Sequence, residues 1–187
     1  MLLKGWIGLS IYIAMRPRYT AVDFALLGVT AVVMGILFTL AWTVYEVADA
    51  FGGPIVARAL SYGLWFIGAP LGATLVKKPL SGFLGETLGA LLESLLPTIG
   101  GTTNLIYGVV QGALSELAYL FTGYKRFDAF IGALAGALAG PGAVALDAIL
   151  FDAIAEPPVM LLWLLAASFS GALYGGLAAL AASTFRG

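Results

Sequence analysis

Apolar stretches of about 18 or more uncharged residues recur along the chain, each closed by a short charged turn, which is the pattern of helices that cross a lipid bilayer. The pattern predicts spans at about Val22–Val47, Ile55–Val76, Pro79–Leu96, Thr102–Thr122, Phe127–Phe151 and Pro158–Phe185. The third is the shortest and carries a proline at its start and just beyond its end, and Pro157 with Pro158 marks the turn between the last two. The expected architecture is an all-α integral membrane protein, a bundle of about six transmembrane helices over residues 19–187. Residues 1–18 form an apolar extension too short to span. Lys4 and Ser10 interrupt it, so it fits a helix lying in the membrane interface, with Met15 as an alternative start. Ala14-Met15-Arg16 is a poor signal-peptidase site.

Composition agrees: 61% of the 187 residues are hydrophobic and 10% charged, against about 25% charged in soluble domains. The chain has neither Cys nor His, which removes disulfides, thiolate and imidazole chemistry and the usual soft-metal ligands. No cofactor is expected, and catalysis by this chain alone is disfavoured. A net charge of −1 with no basic run longer than two residues argues against nucleic acid as a partner.

Basic residues orient the spans. Arg16 and Arg18 precede the first, Lys77-Lys78 and Lys125-Arg126 fill alternate turns, and Arg186 ends the chain, so both termini are expected in the cytoplasm of a multi-pass cell-membrane protein. Only Arg58 falls on the far side, where Glu46, Asp49, Asp152 and Glu156 make an acidic mouth. Gly132, Gly136 and Gly140 recur every fourth residue, and Gly85/Gly89, Gly108/Gly112 and Gly171/Gly175 repeat that spacing. Such small-residue stripes are read as close helix packing within the bundle.

Carboxylates near the bilayer centre are costly, so they face a cavity or a partner. Glu86 and Glu93 lie two turns apart on one face of the third span. Asn104, Tyr107, Gln111 and Ser115 share a face of the fourth, whereas Glu116 lies off that face and is expected to pair with Lys77, Lys78 or Lys125. Trp42, Tyr45 and Trp163 read as interfacial anchors, and Trp65, deeper in the second span beside Tyr62, as a surface for stacking a planar ring. Together Trp65, Glu86, Glu93, Asn104, Tyr107 and Gln111, with Tyr62, describe an outward-opening pocket for a planar, hydrogen-bonding ligand, its acidic walls suited to a cation.

Tyr62-Gly63-Leu64-Trp65-Phe66-Ile67, Lys78-Pro79, Glu86, Glu93, Val110-Gln111-Gly112 with Glu116, and Tyr124-Lys125 resemble the YkoE family over residues 60–126. That family comprises the substrate-binding (S) components of energy-coupling-factor (ECF) transporters for thiamine or its hydroxymethylpyrimidine precursor. A weaker likeness runs through Phe151-Asp152 and Ser170-Gly171-Ala172-Leu173. Residues 1–17 match nothing in the family pattern. The resemblance implies a vitamin-binding subunit that works with a transmembrane coupling (T) protein and two ATP-binding subunits, with Ala31 and Gly35 as the surface that docks on the coupling protein. The same small-residue spacing is as a rule packing within the bundle. The chain carries no phosphate-binding GxxxxGK[ST] loop. Two other readings compete: a stand-alone ion-coupled transporter with the Glu residues as relay, and an intramembrane lipid-modifying enzyme using Glu86 and Glu93 as acid and base or as Mg²⁺ ligands, for which Asp147 with Asp152 is a thin version of the usual aspartate cluster.

Overall fold

The computed structural model describes residues 18–185, and these are helical with no strand. The interfacial helix expected in the N-terminal extension, the start at Met15, and Arg16 and Arg186 lie outside the described residues.

Helix α1 runs Ala21–Ser61. It starts on a capping box in which the Asp23 backbone N–H donates to the Thr20 hydroxyl while Asp23 accepts from the Thr20 N–H at 2.6 Å. Where the pattern predicts a loop, the helix continues through Phe51 and kinks at Gly53-Pro54. Gly53 sits at φ 71°, open to glycine at no steric cost, and Pro54 can restart a helix because a first-turn N–H needs no partner. The predicted second span is correspondingly broken into Ile55–Ser61 at the end of α1, a tight 3-10 turn over Tyr62–Phe66, and α2, Gly68–Val76.

Helices α3 (Ser81–Ser94), α4 (Thr103–Phe121), α5 (Ala129–Phe151) and α6 (Pro157–Thr184) follow. Among the described residues, three stretches are long and apolar enough to cross a membrane: Ala21–Val76, Ala129–Phe151 and Pro157–Thr184. The predicted third span is one of the two that fall short. At 14 residues α3 is about 21 Å long, less than the hydrocarbon core. Its Glu86 and Glu93, and Asn104, Gln111, Ser115 and Glu116 of α4, lower the hydropathy, and all six are buried within the bundle.

The outer face of α1 exposes Val29, Val32, Val33, Ile36 and Leu40, an apolar strip that only lipid solvates well. Glycine lets helices touch at backbone level elsewhere. On α5 a Cβ at Gly132, Gly136 or Gly140 would collide with Gly175, Gly171 or Ser168 of α6, and one at Gly85 would strike Gly68 and Gly72 on the segment beside α3. The glycine stripes therefore pack within the bundle, as their spacing predicts.

Ala31 and Gly35 are also buried. A Cβ at Gly35 would lie 2.8 Å from Leu92 Cβ, so this small-residue surface is filled by α3 of the same chain.

Candidate functional site

One end of the α1–α4 side is organised around Glu116. Instead of pairing with a lysine, its carboxylate accepts from the backbone N–H of Leu80 at 2.6 Å and of Phe83 at 2.8 Å, the first donors of α3. Leu80 is held at φ 68°, a left-handed conformation that a leucine adopts only under constraint. Lys78 turns instead to Asp23 and to the Arg18 carbonyl. Tyr19 donates to the Pro79 carbonyl at 2.8 Å, and burial, with Glu116 next, pushes its phenol up to about 12, so that bond persists through neutral pH. Glu116→Ala leaves the part-buried N–H groups of Leu80 and Phe83 without their acceptor and the turn unsupported. It should cost about 2–4 kcal/mol, read as a large fall in the thermal midpoint.

At the other end of α3 lies a cavity of about 250 Å³. All seven predicted binding residues line it: Tyr62, Trp65, Glu86, Glu93, Asn104, Tyr107 and Gln111. Ser115 does not, since its hydroxyl donates to the Ala135 carbonyl of α5 at 2.9 Å. Asn104 spends one donor on Thr98 at 3.1 Å and so fixes the turn before α4.

Glu86 is wholly buried. Its Oε2 accepts from the Ala69 N–H at 2.8 Å, while Oε1 has no partner among the described residues. Such an orphan acceptor is expensive to keep in an interior. Glu93 Oε1 accepts from two indoles, Trp42 Nε1 at 3.0 Å and Trp65 Nε1 at 3.4 Å. Those rings meet edge to face at 5.0 Å and 68°, and Tyr45 and Tyr62 pack on Trp65 at 6.4 and 6.0 Å. The result is an aromatic wall with a carboxylate at its edge.

Trp42 and Tyr45 therefore line the cavity rather than anchor at headgroup level. Trp163 is likewise buried, with the Arg58 guanidinium 4.0 Å above its ring. Arg58 is not an exposed outer charge but 3% accessible, and its Nη2 donates to Asp147 Oδ2 at 3.0 Å. Asp147 further accepts from Tyr62, and from Tyr107 at 2.8 Å. Asp147 is thus engaged by Arg58, Tyr62 and Tyr107. Asp152 is exposed at the C-terminal end of α5, and no three Asp, Glu, His or Cys among the described residues could share an ion.

Four cavity residues with hydrogen-bonding side chains thus escaped the sequence reading as site residues: Trp42, Tyr45, Arg58 and Asp147. A usable signal existed for the charged pair, since Arg58 and Asp147 are ionisable groups inside predicted spans and each needs a partner there.

The sequence model of one family, described as the permease component of an ABC-type cobalt transport system, matches residues 22–142. The chain belongs to this family. It is 28% identical over 156 residues to a protein of Bacillus subtilis (strain 168) named "Putative HMP/thiamine permease protein YkoE", covering 83% of this chain and 78% of that one. It also superposes on a crystal structure of an S-component of an ECF transporter with a TM-score of 0.83 at 27% identity, over 90% of this chain and 86% of that one. With its apolar helices, this makes the chain a multi-pass cell-membrane protein of the ECF S-component type.

Proposed function

We propose that this chain is the vitamin-binding subunit of an ECF importer, taking thiamine or its hydroxymethylpyrimidine precursor from outside. In this reading it has no catalysis of its own and hands its ligand on with a separate T protein and two ATP-binding subunits. Six crossings with both ends of the chain in the cytoplasm belong to the same proposal. In a bundle of that kind the short α3 and polar α4 keep their polar residues within the protein and turn Leu91, Ile106 and Val109 outward to lipid.

The observation that carries the reading is the Glu86–Glu93–indole arrangement. A flat aminopyrimidine can stack on Trp65 and Trp42, donate to Glu86 Oε1 and meet the Gln111 amide, while a thiazolium is balanced by the acidic wall. The name of the family supports a metal cargo less well. With no Cys or His in the chain and no cluster of three carboxylates among the described residues, the donor set suits cobalt poorly, while aromatic walls fit an organic ring.

Because both indoles bond Glu93, ligand that stacks on them should quench the protein's tryptophan fluorescence. Titration of detergent-purified protein with thiamine is expected to show saturable quenching, and Glu93→Gln to shift the midpoint upward about tenfold. An unshifted midpoint would remove Glu93 from the site. Native mass spectrometry of protein taken directly from cells should find the vitamin as added mass.

A further inference from the structure

The cavity has two polar ends, and the second has its hydrogen-bond polarity fixed by Asp147. Ion-paired to Arg58, this carboxylate can only accept. A phenol has one proton, and both Tyr62 and Tyr107 give theirs to Asp147. What those two hydroxyls have left to offer a ligand is lone pairs.

The Arg58 charge is largely committed as well, although its buried Nε has no hydrogen-bond partner among the described residues. Nη2 is on Asp147, Nη1 donates to the Pro54 carbonyl at 3.3 Å, and the guanidinium lies over the Trp163 and Tyr62 rings at 4.0 and 5.3 Å. The neutral donors of Gln111, Asn104 and Tyr45 remain, but the cavity lining sets three carboxyl side chains against one guanidinium already in use.

Resting on the proposed function, we propose that Asp147, by orienting the Tyr62 and Tyr107 hydroxyls as acceptors, selects a ligand whose free hydroxyl donates to them and rejects the same ligand once that hydroxyl is phosphorylated. Thiamine and hydroxymethylpyrimidine each carry one primary alcohol. Phosphorylation removes its proton and substitutes a group of about two negative charges, which meets acceptors and carboxylates in a lining whose basic group, Arg58, is already ion-paired to Asp147. Hydrolysis of a phosphate ester must then precede capture, and phosphoryl transfer onto the alcohol can only follow release.

The test compares thiamine, thiamine monophosphate and a deoxy analogue with hydrogen in place of the hydroxyl, by calorimetry on the full chain in detergent. The wild type is expected to prefer thiamine over the monophosphate by about 100-fold or more. Asp147→Asn, whose amide donates and so frees or reverses a phenol, should narrow that ratio about tenfold. Tyr107→Phe keeps Asp147 paired and should weaken thiamine about tenfold while leaving the deoxy analogue unchanged. If Asp147→Asn does not fold, the Tyr107 comparison still decides. Equal affinity for thiamine and its monophosphate, or equal losses for thiamine and the deoxy analogue in Tyr107→Phe, overturns the inference and leaves the function standing. Binding of neither thiamine nor hydroxymethylpyrimidine by the wild type overturns both.

Discussion

Glu86→Gln should weaken thiamine binding about 30- to 150-fold while leaving the protein as stable as the wild type or more so. The two effects have opposite signs for one reason. Glu86 is fully buried with one oxygen unpartnered, so the ligand-free protein carries a carboxyl whose desolvation is only partly offset by the Ala69 N–H. Gln has the same shape and removes that cost, and its amide oxygen can still accept from Ala69. What it cannot do is present a second acceptor to an aminopyrimidine, because its other terminal atom is a donor. Two donors face each other where a charge-assisted bond stood, a loss of about 2–3 kcal/mol or about 30- to 150-fold in Kd. Calorimetry paired with a thermal melt measures both signs at once. A weakened melt with unchanged affinity would mean that Glu86 is a structural carboxylate only.

Gly136→Leu is expected to prevent assembly of the bundle. A Cβ at Gly136 already overlaps the Gly171 carbonyl, and one at Gly171 overlaps the Gly136 carbonyl, so the two backbones are in mutual contact. Neither can retreat locally, because the glycines one turn away on each helix are packed against the same partner helix. The obstruction is backbone, which cannot swing aside as a side chain does, so a penalty of more than about 3 kcal/mol is expected. Size-exclusion profiles in detergent should show aggregate in place of the monodisperse wild type. Leu134→Ala, on a residue of the same helix more than a third exposed, serves as the control and should leave the profile unchanged.

How far the sequence anticipates this structure depends on what each residue's signal reports. Hydropathy marks the helices because lipid is the solvent, and the fourfold glycine spacing marks α5 against α6 because only backbone contact needs it. The seven pocket residues were legible because polar groups at helical spacing inside a span must share a face. Arg58 and Asp147 each signal a need for a partner, but that they choose each other is not legible, since their pairing joins residues 89 positions apart and no local pattern reports a distant partner. The continuation of α1 through Gly53 was hidden for the opposite reason. Gly-Gly-Pro is the local signal of a turn, and here Gly53 at φ 71° with Pro54 restarting the helix makes it a kink instead. Trp42 was misplaced because an indole N–H at that depth serves a headgroup or a buried carboxylate equally well.

The glycine contact between α5 and α6 bears on how such a site empties. Two helices joined along their carbonyls cannot slide without breaking many contacts at once, so they travel as one beam, and Asp147 is fixed to it. Arg58 and Tyr62 sit instead on the kinked stretch after Gly53, and Glu86 and Glu93 on the short α3. A parting of the walls that keeps the beam whole therefore runs along one of two seams, the ion pair to Asp147 or the indole bonds to Glu93. The protein's mechanical fuse is drawn from the same few hydrogen bonds that shape its cargo.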